Sequence, residues 1–147
     1  MRVELNIDPN CKNPRALLYA ARLTPSLQNA IAILEKENEE AILTAQIQGK
    51  TFIIEPDNIE IIRTEGRELV LYDIEKNRFL LGKPLYELEN ILGKNFVRIS
   101  KSALVNIFRI HHVEAAFNGT MAIVMKNGIE EIISRSYRQK FKERLGV

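Results

Sequence analysis

The sequence predicts a mainly β, α+β fold: several small antiparallel sheets with short helices, preceded by a small α/β segment at the N-terminus. Three observations carry this expectation. From residue 41 onward, short runs rich in β-branched and aromatic residues recur between turn residues. Three of the separators, Gln48-Gly49-Lys50, Asn118-Gly119 and Asn127-Gly128, are hairpin signals, because glycine and asparagine tolerate the positive φ of tight turns. Helical spacing of apolar residues, in contrast, is confined to three short stretches.

Taken in chain order, Val3 to Ile7 alternates with polar residues and suggests a strand, and residues 16–22 suggest another. Thr24-Pro25 announces a helix: the threonine caps, and the proline fits the first helical position. Leu27, Ala30, Ile31 and Leu34 then fall on one helical face. The run Glu35-Lys36-Glu37-Asn38-Glu39-Glu40 reads as a solvated helix end or linker. Strands are expected over 42–47 and 51–54, then, past the break at Pro56-Asp57, over 59–64, 69–72 and 79–81. Pro84 starts and Gly93 ends a helix carrying Leu85, Leu88, Ile91 and Leu92. In "FVRISKSALVN", residues 96–106, two apolar strands flank the polar tip Ser100-Lys101-Ser102. The two Asn-Gly turns join three more strands, the last closing at Ile132-Ile133. A final helix is expected to start near Ser136, which has capping-box spacing to Gln139. Tyr137, Phe141 and Leu145 form its apolar face, and Gly146 suits its end.

The 147 residues, 46% hydrophobic and 27% charged, suit one medium domain or two small units. No apolar run approaches the ~20 residues that cross a bilayer, and the first residues carry acids where a signal peptide is apolar. A lone Cys11 forms no internal disulfide, so a reducing, cytoplasmic setting is expected. The net charge of +2 hides an asymmetry. Residues 1–93 carry 11 Lys/Arg against 15 Asp/Glu, a net −4; residues 94–147 carry 10 against 4, a net +6. A polyanion is therefore drawn to the C-terminal third.

Catalytic chemistry finds little support. The chain has neither a G-x-x-x-x-G-K-[ST] phosphate loop nor G-x-G-x-x-G. Cys11 lacks companions at metal-ligand spacing. His111-His112 is read as structural or surface, because neighbours on a strand point to opposite faces and do not easily share one ion. Glu39-Glu40 and Glu130-Glu131 read as exposed charge. No catalytic residue, metal or cofactor is expected.

What remains is three basic loop tips: Gly66-Arg67-Glu68, Arg98 through Ser102, and "SRSYRQK", residues 134–140. Loop lysines and arginines reach groove edges while hydroxyls bond phosphates. A helix start beside Arg135 and Arg138 offers N–H groups to a phosphate. Alternatively, Arg98 pairs with a carboxylate across the sheet.

"FVRISKSALVNIFRI" followed by "NGTMAIVMKNGIEEIISRSYRQKFKERLG" resembles the LytTR-type DNA-binding domain of bacterial transcription regulators, over roughly residues 50–147. The family's Phe-x-Arg, its Ser before an apolar pair, its Val-Asn and its later Ser-Arg match Phe96 and Arg98, Ser102, Val105-Asn106 and Ser134-Arg135. The resemblance implies a mainly β fold whose loops, rather than a recognition helix, enter successive grooves of double-stranded DNA. It implies DNA-binding roles for Arg67, Arg98, Ser100, Lys101, Ser102, Arg135, Ser136 and Arg138. Val105 and Asn106 are implied to be structural. Many relatives carry a second arginine after Ser-Arg; here Ser136 stands there, so Arg135 and Arg138 are alternative base readers.

The expected organisation is an N-terminal segment, 1–48, and a LytTR-like domain, 49–147. Residues 1–48 are too few for the receiver of familiar members, which aligns the chain with the small standalone regulators. The segment is acidic on balance and has an apolar helix face around Leu27, Ile31 and Leu34 that it is too short to bury alone. It is therefore expected to dimerise the protein on paired promoter repeats, or to pack intramolecularly. The function implied is transcription regulation by sequence-specific binding of double-stranded DNA. The alternative is a β-rich adaptor whose basic loops bind RNA or an acidic protein.

Overall fold

A computed structural model of the chain describes residues 1–12, 14–36 and 42–147. It divides into two compact units, 1–40 and 41–147. The acidic stretch from Glu37 to Glu40, with its Glu39-Glu40 pair, lies outside the described residues.

In the first unit, the helix α1 spans Pro25–Lys36, and the Thr24 Oγ1 accepts from the Leu27 N–H at 3.3 Å, as the Thr-Pro signal predicts. The strands expected over 3–7 and 16–22 do not form. Alternation alone is a weak signal where no neighbouring strand satisfies the backbone.

The second unit holds ten strands and two helices: β1 (Leu43–Ile47), β2 (Lys50–Ile54), β3 (Ile59–Glu65), β4 (Glu68–Asp73), β5 (Arg78–Leu81), α2 (Leu85–Leu92), β6 (Phe96–Ser100), β7 (Ala103–Asn106), β8 (Ile110–Ala115), β9 (Met121–Met125), β10 (Glu130–Ile133) and α3 (Arg135–Leu145). The mainly β class is as predicted. The sheets are fewer than "several": seven strands run in the order β2-β1-β5-β4-β3-β7-β6, and three in the order β10-β9-β8. All neighbours are antiparallel. The β6–β7 hairpin joins the β3–β4–β5 meander through β7, while β1 meets β5 only at Gln46 and Leu80. The boundary expected between residues 48 and 49 falls in the β1–β2 turn.

The large sheet carries a core on each face, the second one limited to β4, β3, β7 and β6. On one, Leu85 and Leu88 of α2 pack with Leu43, Ile62, Leu71, Phe96 and Leu104. On the other, the small sheet and α3 bring Ile123, Met125, Ile133 and Phe141 against Ile61, Val97, Ile99 and Val105. Fully burying a large aliphatic or aromatic side chain contributes about 1.5–3 kcal/mol, so these two clusters fix how the strands stack.

Of the three bulges among the described strands, one lies in β6 between Arg98 and Ser100, and the other two re-aim polar side chains. The β3–β4 register shifts between Ile59 and Ile61, and Glu60 leaves the alternation. Its carboxylate, fully buried, accepts from Arg109 Nε at 2.7 Å and from the Asn127 N–H at 2.6 Å. The second bulge, in β8 between Ile110 and His112, corrects the reading of the histidine pair. The rings do not diverge: their Nδ1 atoms lie 2.8 Å apart, one donating to the other. Among the described residues no group of three or more His, Cys, Asp or Glu converges to hold a metal.

Asn106 is structural, as the resemblance implies, and holds the turn after β7. It is buried, gives its amide to the Ile59 carbonyl at 2.9 Å and accepts from the Phe108 N–H at 3.1 Å. Helix α3 starts earlier than expected. Its N-cap is Ser134, so Ser136 sits inside the first turn and makes no capping box with Gln139, which instead reaches Glu143. Among the described residues no helix is long and apolar enough to cross a membrane.

Candidate nucleic-acid interface

Three turns lie at one end of the stacked sheets. The β3–β4 hairpin closes with Glu65 opposite Glu68, leaving Gly66-Arg67 at the tip. The β6–β7 hairpin closes with Ser100 opposite Ala103, leaving Lys101-Ser102. The third element is the junction of β10 and α3. Backbone bonds fasten the three together: the Thr64 N–H donates to the Ser102 carbonyl at 2.9 Å, and the Ser134 N–H donates to the Ile99 carbonyl at 3.0 Å. Arg63 adds a side-chain tie, donating from Nη1 to Glu131 Oε2 at 3.1 Å, which links β3 to β10.

At the first tip, Arg67 is exposed and has no side-chain partner among the described residues. Its acidic neighbours are occupied. Glu65 accepts from Tyr72 Oη at 2.7 Å, Arg63 Nε at 3.0 Å and Arg78 Nε at 3.2 Å, while Glu68 accepts from Arg78 Nη2 at 3.2 Å. The Tyr72 hydroxyl, helped by the two guanidiniums, holds the Glu65 carboxyl below the ordinary carboxylate range against the opposing effect of burial. Arg63, stacked 5.1 Å from the Tyr72 ring centroid, is pushed up by the same cluster, although its own burial works the other way. The carboxylates beside Arg67 are thus neutralised in place.

The second tip separates two roles. Arg98, half-buried, donates from Nη1 to Glu89 Oε2 at 3.0 Å, from Nε to the Ser100 carbonyl at 2.9 Å and from Nη2 to the Lys101 carbonyl. The guanidinium therefore wraps the turn from behind. Ser100 Oγ accepts from the Ser102 N–H at 3.2 Å and lies 3.4 Å from Ser102 Oγ. Lys101 projects from this braced turn, exposed and without an ionic partner among the described residues.

The third tip separates the two arginines left as alternatives. Arg138, half-buried, donates from Nη1 to the Gly119 carbonyl in the β8–β9 turn at 3.2 Å. Arg135 is exposed, and only its aliphatic stem meets that turn. Ser134 makes no side-chain cap bond; its hydroxyl lies 3.3 Å from Ser136 Oγ. The two hydroxyls thus stand together at the start of α3, the end of a helix that favours an anion.

Two cations escaped the sequence reading. Lys94 and Arg144 line a shallow groove with Lys140, Glu89 and Arg98. The available signal was the spacing of Lys140 and Arg144, which are four apart on α3 and so share a helical face.

The family model described as the LytTr DNA-binding domain matches residues 49–146. The sensory transduction protein LytT of Enterococcus faecalis is 25% identical over 114 residues, covering 77% of this chain and 47% of that protein. An uncharacterized HTH-type transcriptional regulator of Staphylococcus aureus is 26% identical over 147 residues, covering 100% of this chain and 99% of the relative. A solved LytTr DNA-binding domain from Bacillus cereus superposes with a TM-score of 0.68 at 21% identity, covering 73% of this chain and 98% of that one, and so shares the fold.

Proposed function

The chain belongs to the LytTr DNA-binding domain family, and from that premise we propose that it regulates transcription by setting three braced loop tips into a DNA duplex. The observation that carries the reading is the fastening of the tips: the bonds from Thr64 to Ser102 and from Ser134 to Ile99 hold Arg67, Lys101 and Arg135 at one end of a buried scaffold. These three cations are exposed and unpaired among the described residues, so they meet the duplex without first breaking an ion pair. Arg135 is the base reader of its loop, and Arg138 the residue that seats it. Arg98 positions Lys101. Ser100, Ser102 and Ser136 bond phosphates, and Lys94, Lys140 and Arg144 follow the backbone beside them.

The reading places recognition on loops. Helices α2 and α3 are separated by five strands, so they do not form a helix-turn-helix. Residues 49–147 form the binding domain, residues 1–48 serve dimerisation, and the protein acts in the cytoplasm on paired promoter repeats without catalysing a reaction. Leu17, Leu23 and Ile33, each more than 60% exposed, support the dimerisation role.

Competition tests the function. Labelled duplex recovered from a randomised pool by the full chain is challenged with its own unlabelled copy, with scrambled duplex, with RNA and with an acidic polypeptide. Displacement by the selected duplex far ahead of the others is expected. Equal displacement by RNA or the polypeptide replaces this reading with that of an adaptor.

A further inference from the structure

We propose that the β8–β9 turn is a fourth contact loop, on which Phe117 presents an apolar ring to the duplex beside the arginine-bearing start of α3. The inference rests on duplex DNA being the ligand and adds a non-ionic contact to it. The sequence marks Asn118-Gly119 only as a turn. The structure adds where the turn sits and what it displays. Ala115 pairs with Met121, and Met121 with Ile133, so the turn leaves the small sheet at the same end as Ser134. Both arginines of the third tip touch it. Arg138 donates to the Gly119 carbonyl at 3.2 Å, and a Cβ placed on Gly119 would stand 3.3 Å from Arg135 Cδ.

The turn is stiff. The Ala116 N–H donates to the Thr120 carbonyl at 3.0 Å, and Thr120 returns two bonds to the Phe117 carbonyl, from its hydroxyl at 2.6 Å and its N–H at 3.3 Å. Asn118 and Gly119 take φ of 57° and 75°, the left-handed region that asparagine tolerates and glycine, lacking a Cβ, enters freely. On this frame Phe117 is 83% exposed, the most exposed large apolar side chain described in residues 42–147. A solitary exposed apolar residue is ordinary on a protein surface. Here, however, the ring is held by a rigid turn two residues from a glycine that the Arg138 guanidinium bonds and the Arg135 stem approaches. No acidic residue occurs between Glu114 and Glu130 to repel a phosphate. When the arginines engage the backbone, the ring comes to a groove wall, where sugar carbons and thymine methyls are its apolar partners.

Salt titration separates this contact from an ionic one. Full-length wild type, Phe117→Ala and Lys101→Ala are titrated with the duplex that wild type selects from a randomised pool. Phe117→Ala is expected to bind about tenfold or more weakly at every salt concentration, since the ring loses its desolvation. Its slope of log K against log salt stays that of wild type, because no phosphate contact is removed. Lys101→Ala lowers the slope by about 1. Unchanged affinity of Phe117→Ala overturns the contact and leaves the DNA reading standing. A weaker affinity with an altered slope also overturns it, because the turn then acts through its arginines. Failure of wild type to select any duplex overturns the DNA reading and this inference together.

Discussion

The Ser134 N–H donates to the Ile99 carbonyl at 3.0 Å, so the last residue before α3 is bonded to the residue before the Ser100-Lys101-Ser102 tip. Two loops distant in sequence are thereby held at one spacing. Recognition of a regular duplex by separate tips requires such fixed spacing, because each tip must reach its groove without further ordering cost.

The roles at the second tip separate by experiment. Lys101→Ala removes an exposed ammonium and is expected to cost about 1–3 kcal/mol of duplex binding with an unchanged melting temperature. Arg98→Ala removes the brace on the Ser100 and Lys101 carbonyls and the pair with Glu89. It is expected to weaken binding and also to lower stability by about 1–3 kcal/mol. Thermal melts beside binding isotherms check both variants. An Arg98→Ala protein that binds poorly yet melts like wild type assigns Arg98 to direct contact instead.

Removing Glu60 is expected to damage the fold from the far side of the scaffold. Its carboxylate is 0% exposed and bonds Arg109 and the Asn127 backbone, whereas the Arg109 side chain is 29% exposed. Glu60→Ala strands a partly buried guanidinium and an N–H group, at a cost of about 3 kcal/mol in urea unfolding. Leu104→Ala, at a fully buried position, is expected to cost about 2–5 kcal/mol. Wild-type midpoints for either variant contradict the packing described above.

These cases also show what the sequence could reveal. Strand runs and Asn-Gly turns were legible because period and turn chemistry are local. The polar tip of 100–102 was legible because it interrupts two apolar runs. Glu60 was not: a charge in an alternating run reads as solvent-facing, and only the bulge turns it inward. Arg98 was legible as a choice between a partner and a ligand, and Glu89 on α2 supplies the partner. Arg135 and Arg138 are equivalent in sequence, and the Gly119 carbonyl separates them. The strands expected in residues 3–7 and 16–22 failed because alternation says nothing about whether a pairing strand exists.

Acid sensitivity is expected from the Glu65 cluster. The Tyr72 hydroxyl, Arg63 and Arg78 favour its ionised form in the folded state and depress its pKa. Its contribution to stability is therefore complete above the ordinary carboxylate value. It is lost as pH falls from about 4.5 through the depressed folded value. Glu65→Gln should be less stable than wild type near neutrality and show a flatter loss of stability below about pH 4.5. Urea midpoints across that range test the sign: parallel acid limbs for the two proteins remove Glu65 from the account.

The first unit tests the dimer. Of its helix face, Leu27 is buried and Ile31 half-buried, whereas Leu34 is 42% and Ile33 63% exposed. Leu18, Leu23, Leu27 and Ile31 line a shallow cleft in which Leu27 and Ile31, part of the expected interface, are already covered within the unit. The surface left for a second copy is the Ile33-Leu34 ridge together with Leu17 and Tyr19, which are 73% and 92% exposed. A charge there has to be desolvated on association. Full-length protein is expected to sediment as a dimer at micromolar concentration, and Ile33→Glu with Leu34→Glu to raise the dimer dissociation constant at least tenfold, about 1.4 kcal/mol. Duplexes carrying two sites should lose more affinity in this variant than duplexes carrying one, because the second contact is no longer intramolecular. A monomeric wild type, or a doubly substituted protein that still dimerises fully, removes the helix from the interface.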